Sequence, residues 1–139
     1  MLTITRSFQF AAGHRLFRPE WSDARNAEIF GPCANPNGHG HNYTLEVSVA
    51  GPIDPETGMI LNLRQLKETV TAQVIADVDH KNLNADVLWM RDAIPTTEVF
   101  AERIWDRLVM VLQKHAPTVS LDRIVLHETA NNKVTRTAK

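Results

Sequence analysis

Apolar side chains recur at alternate positions near the start of the chain, at Leu2, Ile4, Phe8 and Phe10. A period of two is the mark of a strand with one buried face, and the same parity runs through Ala12 to His14. A polar stretch rich in Asn, Pro and Gly, from about Pro19 to Gly40, is predicted to be loop. Alternation resumes at Tyr43, Leu45, Val47 and Val49, with Asn42, Thr44, Glu46 and Ser48 between them, and predicts a second half-buried strand. Turn residues crowd Gly51 to Gly58, which reads as a hairpin connection with Met59, Ile60 and Leu61 returning as the partner strand. The period then changes. Leu63, Leu66, Val70 and Val74 mark a helical stripe ending near Asp79. Phe100, Ile104, Leu108, Val111 and Leu112 mark a second helix over 97–115, bounded by Pro95 and Pro117, with Thr96 or Thr97 as N-cap. Leu121 to Thr129 reads as a last strand, with Ile124 and Leu126 on one face. Strands followed by helices, with a hairpin between, predict an α+β fold built on a mainly antiparallel sheet.

A chain of 139 residues without repeats or linkers fits one domain over 1–139. The net charge is −1 and no Lys/Arg cluster stands out, which argues against a nucleic-acid partner. No apolar run approaches membrane-spanning length. Residues Met1 to Phe8 alternate in polarity, unlike a secretion signal. The single cysteine, Cys33, cannot form an intrachain disulfide. A soluble cytoplasmic protein is the expectation.

The candidate chemistry begins with histidine. His39 and His41 lie two apart at the start of a strand, so both imidazoles face one side. His14 ends the first strand on its apolar parity, and if the two strands share a sheet the three rings can converge. Three imidazoles suit zinc and leave a fourth position open, as catalytic rather than structural sites do. A His-x-His pair also arises by chance on surfaces. His115, at a helix C-terminus, is explained by the helix dipole and needs no functional role.

Other positions carry two readings each. Cys33 sits among turn formers, Gly31-Pro32 before it and Ala34-Asn35-Pro36-Asn37-Gly38 after it. It is either a small buried hydrophobe or a thiolate able to accept a proton near a metal and a histidine. Asp79 and His80 follow the first helix and serve either as helix-end chemistry or as a pair that tunes one another or Cys33. Glu128 shares parity with Ile124 and Leu126. It is either an exposed strand end or a buried carboxylate that pairs with the two N–H donors of a guanidine-like ring edge. Thr96, Thr97 and Glu98 add polar groups at a helix start.

Cys33-Ala34-Asn35-Pro36-Asn37-Gly38-His39-Gly40-His41-Asn42-Tyr43 resembles the signature of the 6-pyruvoyl-tetrahydropterin synthase family. The same resemblance extends to Ala11-Ala12-Gly13-His14-Arg15-Leu16, Asp54-Pro55-Glu56-Thr57-Gly58-Met59, Asp79-His80-Lys81-Asn82-Leu83-Asn84, Thr96-Thr97-Glu98 and His127-Glu128-Thr129, in the family's order. It implies the tunnelling fold: a four-stranded antiparallel sheet with two helices on one face, copies closing into a barrel as a homohexamer of two trimers. It implies 7,8-dihydroneopterin triphosphate as substrate. It further implies Zn2+ on His14, His39 and His41, Cys33 as general base with Asp79 and His80 as a relay that a neighbouring chain can supply, Glu128 as pterin anchor, and Thr96 and Thr97 lining the pocket. Many members read Thr-Glu-Asn where this chain has Thr97-Glu98-Val99. The sister 6-carboxytetrahydropterin synthases share fold and metal site. Five residues intervene between Cys33 and His39 here, a longer spacing than is typical of that group, which favours the pyruvoyl synthase. A third reading, a non-catalytic zinc- or pterin-binding protein, runs against the presence of Cys33, Asp79, His80 and Glu128. Candidate triphosphate contacts, by position, are Arg15, Lys67 and Lys81.

Overall fold

The computed structural model describes all residues, 1–139. Its frame is two long antiparallel strands, β1 (Leu2–His14) and β2 (His39–Gly51), paired residue for residue from Leu2↔Gly51 to His14↔His39. The alternating pattern dictates their faces: Phe8, Phe10, Ala12 and His14 of β1 and Tyr43, Leu45, Val47 and Val49 of β2 are all buried on one side. Against that side pack a helical stretch and a long helix. The first comprises α2 (Leu63–Val70), a π-helical segment Thr71–Ile75 and α3 (Ala76–Val78); the second is α4 (Thr97–His115). Leu66, Val70, Val74 and Val78 from the first stretch and Phe100, Ile104, Leu108 and Leu112 from α4 join the sheet residues in one core. Both helices fall where the 3.6-residue stripe placed them.

With β3 (Lys81–Asn82), β4 (Ser120–His127) and β5 (Lys133–Thr137), the sheet has five strands in the order β3-β1-β2-β4-β5, which corrects the four-stranded antiparallel expectation. Four strands alternate in direction, β4 pairing with β2 and β5 with β4. The fifth, β3, is a two-residue parallel addition beside Ala12 and Gly13. The strand expected at Met59–Leu61 does not form. The backbone turns back, with Asp54 N–H donating to the Met59 carbonyl at 2.9 Å, but β2 has no free edge to offer. β1 holds one edge and β4 the other from Thr44 to Ala50.

Several short elements went unread in the sequence, among them the following. Helix α1 (Asp23–Phe30), capped by Ser22 accepting from the Arg25 amide, and the 3-10 turn Gly31–Ala34 lie inside the predicted loop. β5 follows a tight turn in which the Thr129 hydroxyl accepts from the Asn131 and Asn132 amides. No helix is long and apolar enough to cross a membrane.

Candidate metal and pterin site

The register of the two long strands assembles the site. His14 lies opposite His39, and Ala12 opposite His41, so the three rings stand together at one end of the sheet's buried face. Gly38 makes this crossing possible. Its φ of +70° suits glycine, and a Cβ there would meet the His14 carbonyl at 2.9 Å. One ligand atom from each of His14, His39 and His41 lies within 4.8 Å of the others. Ring centroids are 4.7, 5.1 and 4.9 Å apart, the planes steeply inclined, so the rings point inward rather than stack.

His14 is 1 % exposed, and its Nδ1 lies 2.8 Å from the Pro95 carbonyl. A carbonyl only accepts, so Nδ1 carries the proton and Nε2 presents a lone pair. That lone pair lies 3.1 Å from His39 Nε2. His41 Nε2 is buried with no hydrogen-bond partner. Burial pushes the His14 pKa below its ordinary value; the Pro95 contact opposes this, while His39 and His41 add to it. Burial likewise lowers the His41 pKa, with Glu128 opposing and His39 reinforcing. Inward-facing imidazoles, with His14 and His41 pushed toward the neutral form by burial and His41 carrying an orphaned buried nitrogen, suit the state a metal requires of its ligands. The residues therefore fit a three-histidine metal site with an open position.

Glu128 lies one residue past the end of β4, within the stretch that parity had read as strand to Thr129. Its carboxylate nevertheless turns to the site. Oε2 accepts from the Thr97 hydroxyl at 2.5 Å, and Oε1 lies 3.9 Å from His41 Nε2. The N-cap question is also decided: Thr96 caps α4 by accepting from the Val99 amide at 3.2 Å, which leaves the Thr97 hydroxyl free for Glu128. Beneath them the Tyr43 ring stacks on Phe10 at 5.0 Å and meets Phe100 edge-on at 5.5 Å, a rigid apolar floor. Burial, with Glu128 adding to it, raises the Tyr43 pKa far above its ordinary value, so the phenol stays neutral.

The remaining predicted residues make no hydrogen bond or ion pair with this cluster. Cys33 lies half-buried in the 3-10 turn, with its carbonyl accepting from the Leu16 amide at 2.9 Å. Asp79 Oδ1 accepts from the Ala11 amide at 3.0 Å, and His80 N–H donates to the Ala11 carbonyl at 2.6 Å. The His80 imidazole is 84 % exposed, on a backbone at φ +60°. No hydrogen bond joins Cys33 to Asp79 or His80; their contacts on the chain, Leu16 and Ala11, are five residues apart, ~16 Å of extended chain. A cavity of about 590 Å3 beside β3 is lined by His41, Asn42, His80, Lys81 and Asn82 among others. Lys81 thus lines a cavity that shares only His41 with the cluster, Lys67 lies exposed on α2, and Arg15 is committed to the Ala34 carbonyl at 2.9 Å.

Fold and site together define an α+β protein with a three-imidazole centre able to hold one metal ion and a carboxylate beside it. The sequence profile of the 6-pyruvoyl tetrahydropterin synthase family matches residues 3–139. A 6-pyruvoyl tetrahydrobiopterin synthase of Pongo abelii is 46 % identical over 131 residues, covering 94 % of this chain and 88 % of the relative. The Caenorhabditis elegans 6-pyruvoyl tetrahydropterin synthase structure superposes with a TM-score of 0.90 at 37 % identity, over 99 % of this chain and 96 % of that one. A 6-carboxy-5,6,7,8-tetrahydropterin synthase of Aquifex aeolicus is 26 % identical, covering 94 % of each chain. The chain belongs to the 6-pyruvoyl tetrahydropterin synthase family, lyase-type enzymes that form 6-pyruvoyl-tetrahydropterin.

Proposed function

We propose that the protein converts 7,8-dihydroneopterin triphosphate to 6-pyruvoyl-tetrahydropterin with release of triphosphate, using Zn2+ held by His14, His39 and His41. The observation that carries this reading is the joint placement of three inward imidazole nitrogens and the Glu128 carboxylate, with Thr97 occupying one carboxylate oxygen only. Glu128 Oε1 is left to accept from the amino and ring N–H groups of a pterin, and Thr96 and Thr97 shape the pocket wall. A bound zinc ion would hold the hydroxyls of the substrate side chain and make the adjacent C–H bonds more acidic. Cys33 is the proton acceptor, and Asp79 and His80 form the relay. The redox change is internal to the substrate, so no external reductant is needed, in keeping with the lack of a Gly-rich dinucleotide fingerprint in the sequence.

The relay is supplied by a neighbouring copy. Supporting this, His80 is solvent-facing and unconnected to Cys33 within one chain. The assembly is a homohexamer of two trimers. From Leu2 to Phe10, β1 has no strand partner on its outer edge. Three antiparallel pairings separate β1 from β5, so the two strands run in opposite directions. Placing β5 of one copy beside β1 of the next continues the antiparallel alternation, and a closed ring leaves no open edge. The setting is cytoplasmic, with neither nucleic acid nor membrane as partner.

The test is anaerobic incubation of zinc-loaded protein with 7,8-dihydroneopterin triphosphate and mass spectrometry of the products. A 6-pyruvoyl product is expected, and Cys33→Ala should lower turnover by about 10²–10⁴-fold while metal binding is kept. A 6-carboxy product with acetaldehyde would reassign the reaction. Absence of turnover with zinc bound would make the protein a non-catalytic binder.

A further inference from the structure

A continuous hydrogen-bonded path runs from the Asp79–His80 segment across the end of β1 to the Cys33 turn. Beyond the two contacts at Ala11, the Leu83 amide donates to the Gly13 carbonyl at 2.8 Å. Asn84 then clamps Arg15 through both its peptide groups: Oδ1 accepts from the Arg15 amide at 2.8 Å, and Nδ2 donates to the Arg15 carbonyl at 2.9 Å. Asn84 is itself held by Asn82 Oδ1, which accepts from its amide at 2.9 Å. Arg15 Nε donates to the Ala34 carbonyl at 2.9 Å, and the Leu16 amide donates to the Cys33 carbonyl at 2.9 Å. The guanidinium lies 3.9 Å from the centre of the Phe17 ring, which fixes its plane. The carbonyls of Cys33 and Ala34 are thus anchored by the two residues that directly follow the metal ligand His14.

The Cys33 turn is joined to α1 through the Gly31 amide, which donates to the Ala27 carbonyl, and closed by the Asn35 amide donating to the Pro32 carbonyl at 3.1 Å. It is a four-residue 3-10 segment, a form with poor internal hydrogen-bond geometry, and loop follows it to Gly38. The Cys33 side chain is a free, half-buried thiol. The bonds that reach Cys33 and Ala34 from outside the turn are those of the brace.

We propose that Arg15 and Asn84 are positioning residues that set where the Cys33 thiol stands relative to the His14–His39–His41 centre. This rests on the reading of Cys33 as proton acceptor given above. A planar Nε donor on a stacked guanidinium has no counterpart in lysine, so charge alone does not replace it. A displacement on the order of 1 Å costs a reaction about 100-fold.

The test uses zinc-loaded Arg15→Lys and Asn84→Ala proteins. The readouts are kcat, KM, metal content and the rate at which iodoacetamide alkylates Cys33, the chain's one thiol. Expected are a fall in kcat of about 100-fold, unchanged KM and metal content, and severalfold faster alkylation as the turn loosens. Asn84→Asp keeps the acceptor for the Arg15 amide and loses only the donor, so it should recover most of both kcat and thiol protection; paired with Arg15→Lys it carries the comparison if Asn84→Ala does not fold. Unchanged kcat and alkylation overturn the proposal, as does a loss of kcat that tracks loss of metal. Full turnover by Cys33→Ala would instead overturn the role of Cys33, and the alkylation rates alone would then decide the positioning claim.

Discussion

Replacing Thr97 by valine removes one hydroxyl and nearly preserves the side chain's shape. That hydroxyl donates to Glu128 Oε2 at 2.5 Å. A hydrogen bond to a charged group contributes about 1.5–3 kcal/mol. Thr97 is 8 % exposed, but the Glu128 side chain is 22 % exposed, so water competes and the lower end applies, ~1.5 kcal/mol. If the bond aims the carboxylate at the pterin ring, the same energy appears in binding as a roughly tenfold weaker Kd. The assay is a double-mutant cycle of Thr97→Val and Glu128→Gln on the zinc-loaded protein, read by fluorescence titration with pterin. Thr97→Val should weaken binding about tenfold in the parent and hardly at all beside Glu128→Gln. An equal loss in both backgrounds, a coupling under about 0.5 kcal/mol, would refute the view that Thr97 acts through Glu128.

Two further outcomes follow from the imidazole cluster. His14→Ala should lower zinc affinity by more than the roughly 10–100-fold typical of losing a ligand's supporting partner, measured by competition with a chelating dye; unchanged affinity would remove His14 from the ligand set. Chelator-treated protein should lose stability as pH falls. The folded pKa values of His14 and His41 lie below the ordinary 6.5, so between the two values the unfolded chain binds more protons. Stability therefore rises with pH up to about 6.5 and is lost below it. A denaturant midpoint that stays flat from about pH 5 to pH 7 would contradict this.

Parity along two strands was enough to put His14, His39 and His41 on one face, because each strand buries a single side and the alternation extends unbroken into the histidines. Parity does not give register. That His14 meets His39 depends on Gly38 letting the chain pass close to the His14 carbonyl, a contact between residues far apart in sequence. The failed strand at Met59–Leu61 has the same origin: local turn chemistry was present, but β4 had taken the edge of β2. Helix α1 was invisible because it has no apolar stripe; its one buried residue is Asn26, held through side-chain bonds to both peptide groups of Arg18. β5 carries one partly buried apolar residue, Val134, and so lacked a readable alternation. The direction of Glu128 was legible although its strand ended one residue early. The choice between Thr96 and Thr97 as cap was not, since either hydroxyl satisfies the local rule.

His80 is the one residue other than glycine with a positive φ. A left-handed backbone costs a residue with a Cβ roughly 1–2 kcal/mol, and glycine would hold the same turn and the same amide contact to Ala11 without that cost. The imidazole gives the fold of its own chain little, being 84 % exposed with Asp79 Oδ1 3.8 Å from its Nε2. Stability alone would thus place glycine at this position. The chain instead keeps an outward-facing histidine with a positive φ; if His80 serves the relay proposed above, folding free energy is exchanged for chemistry at one residue.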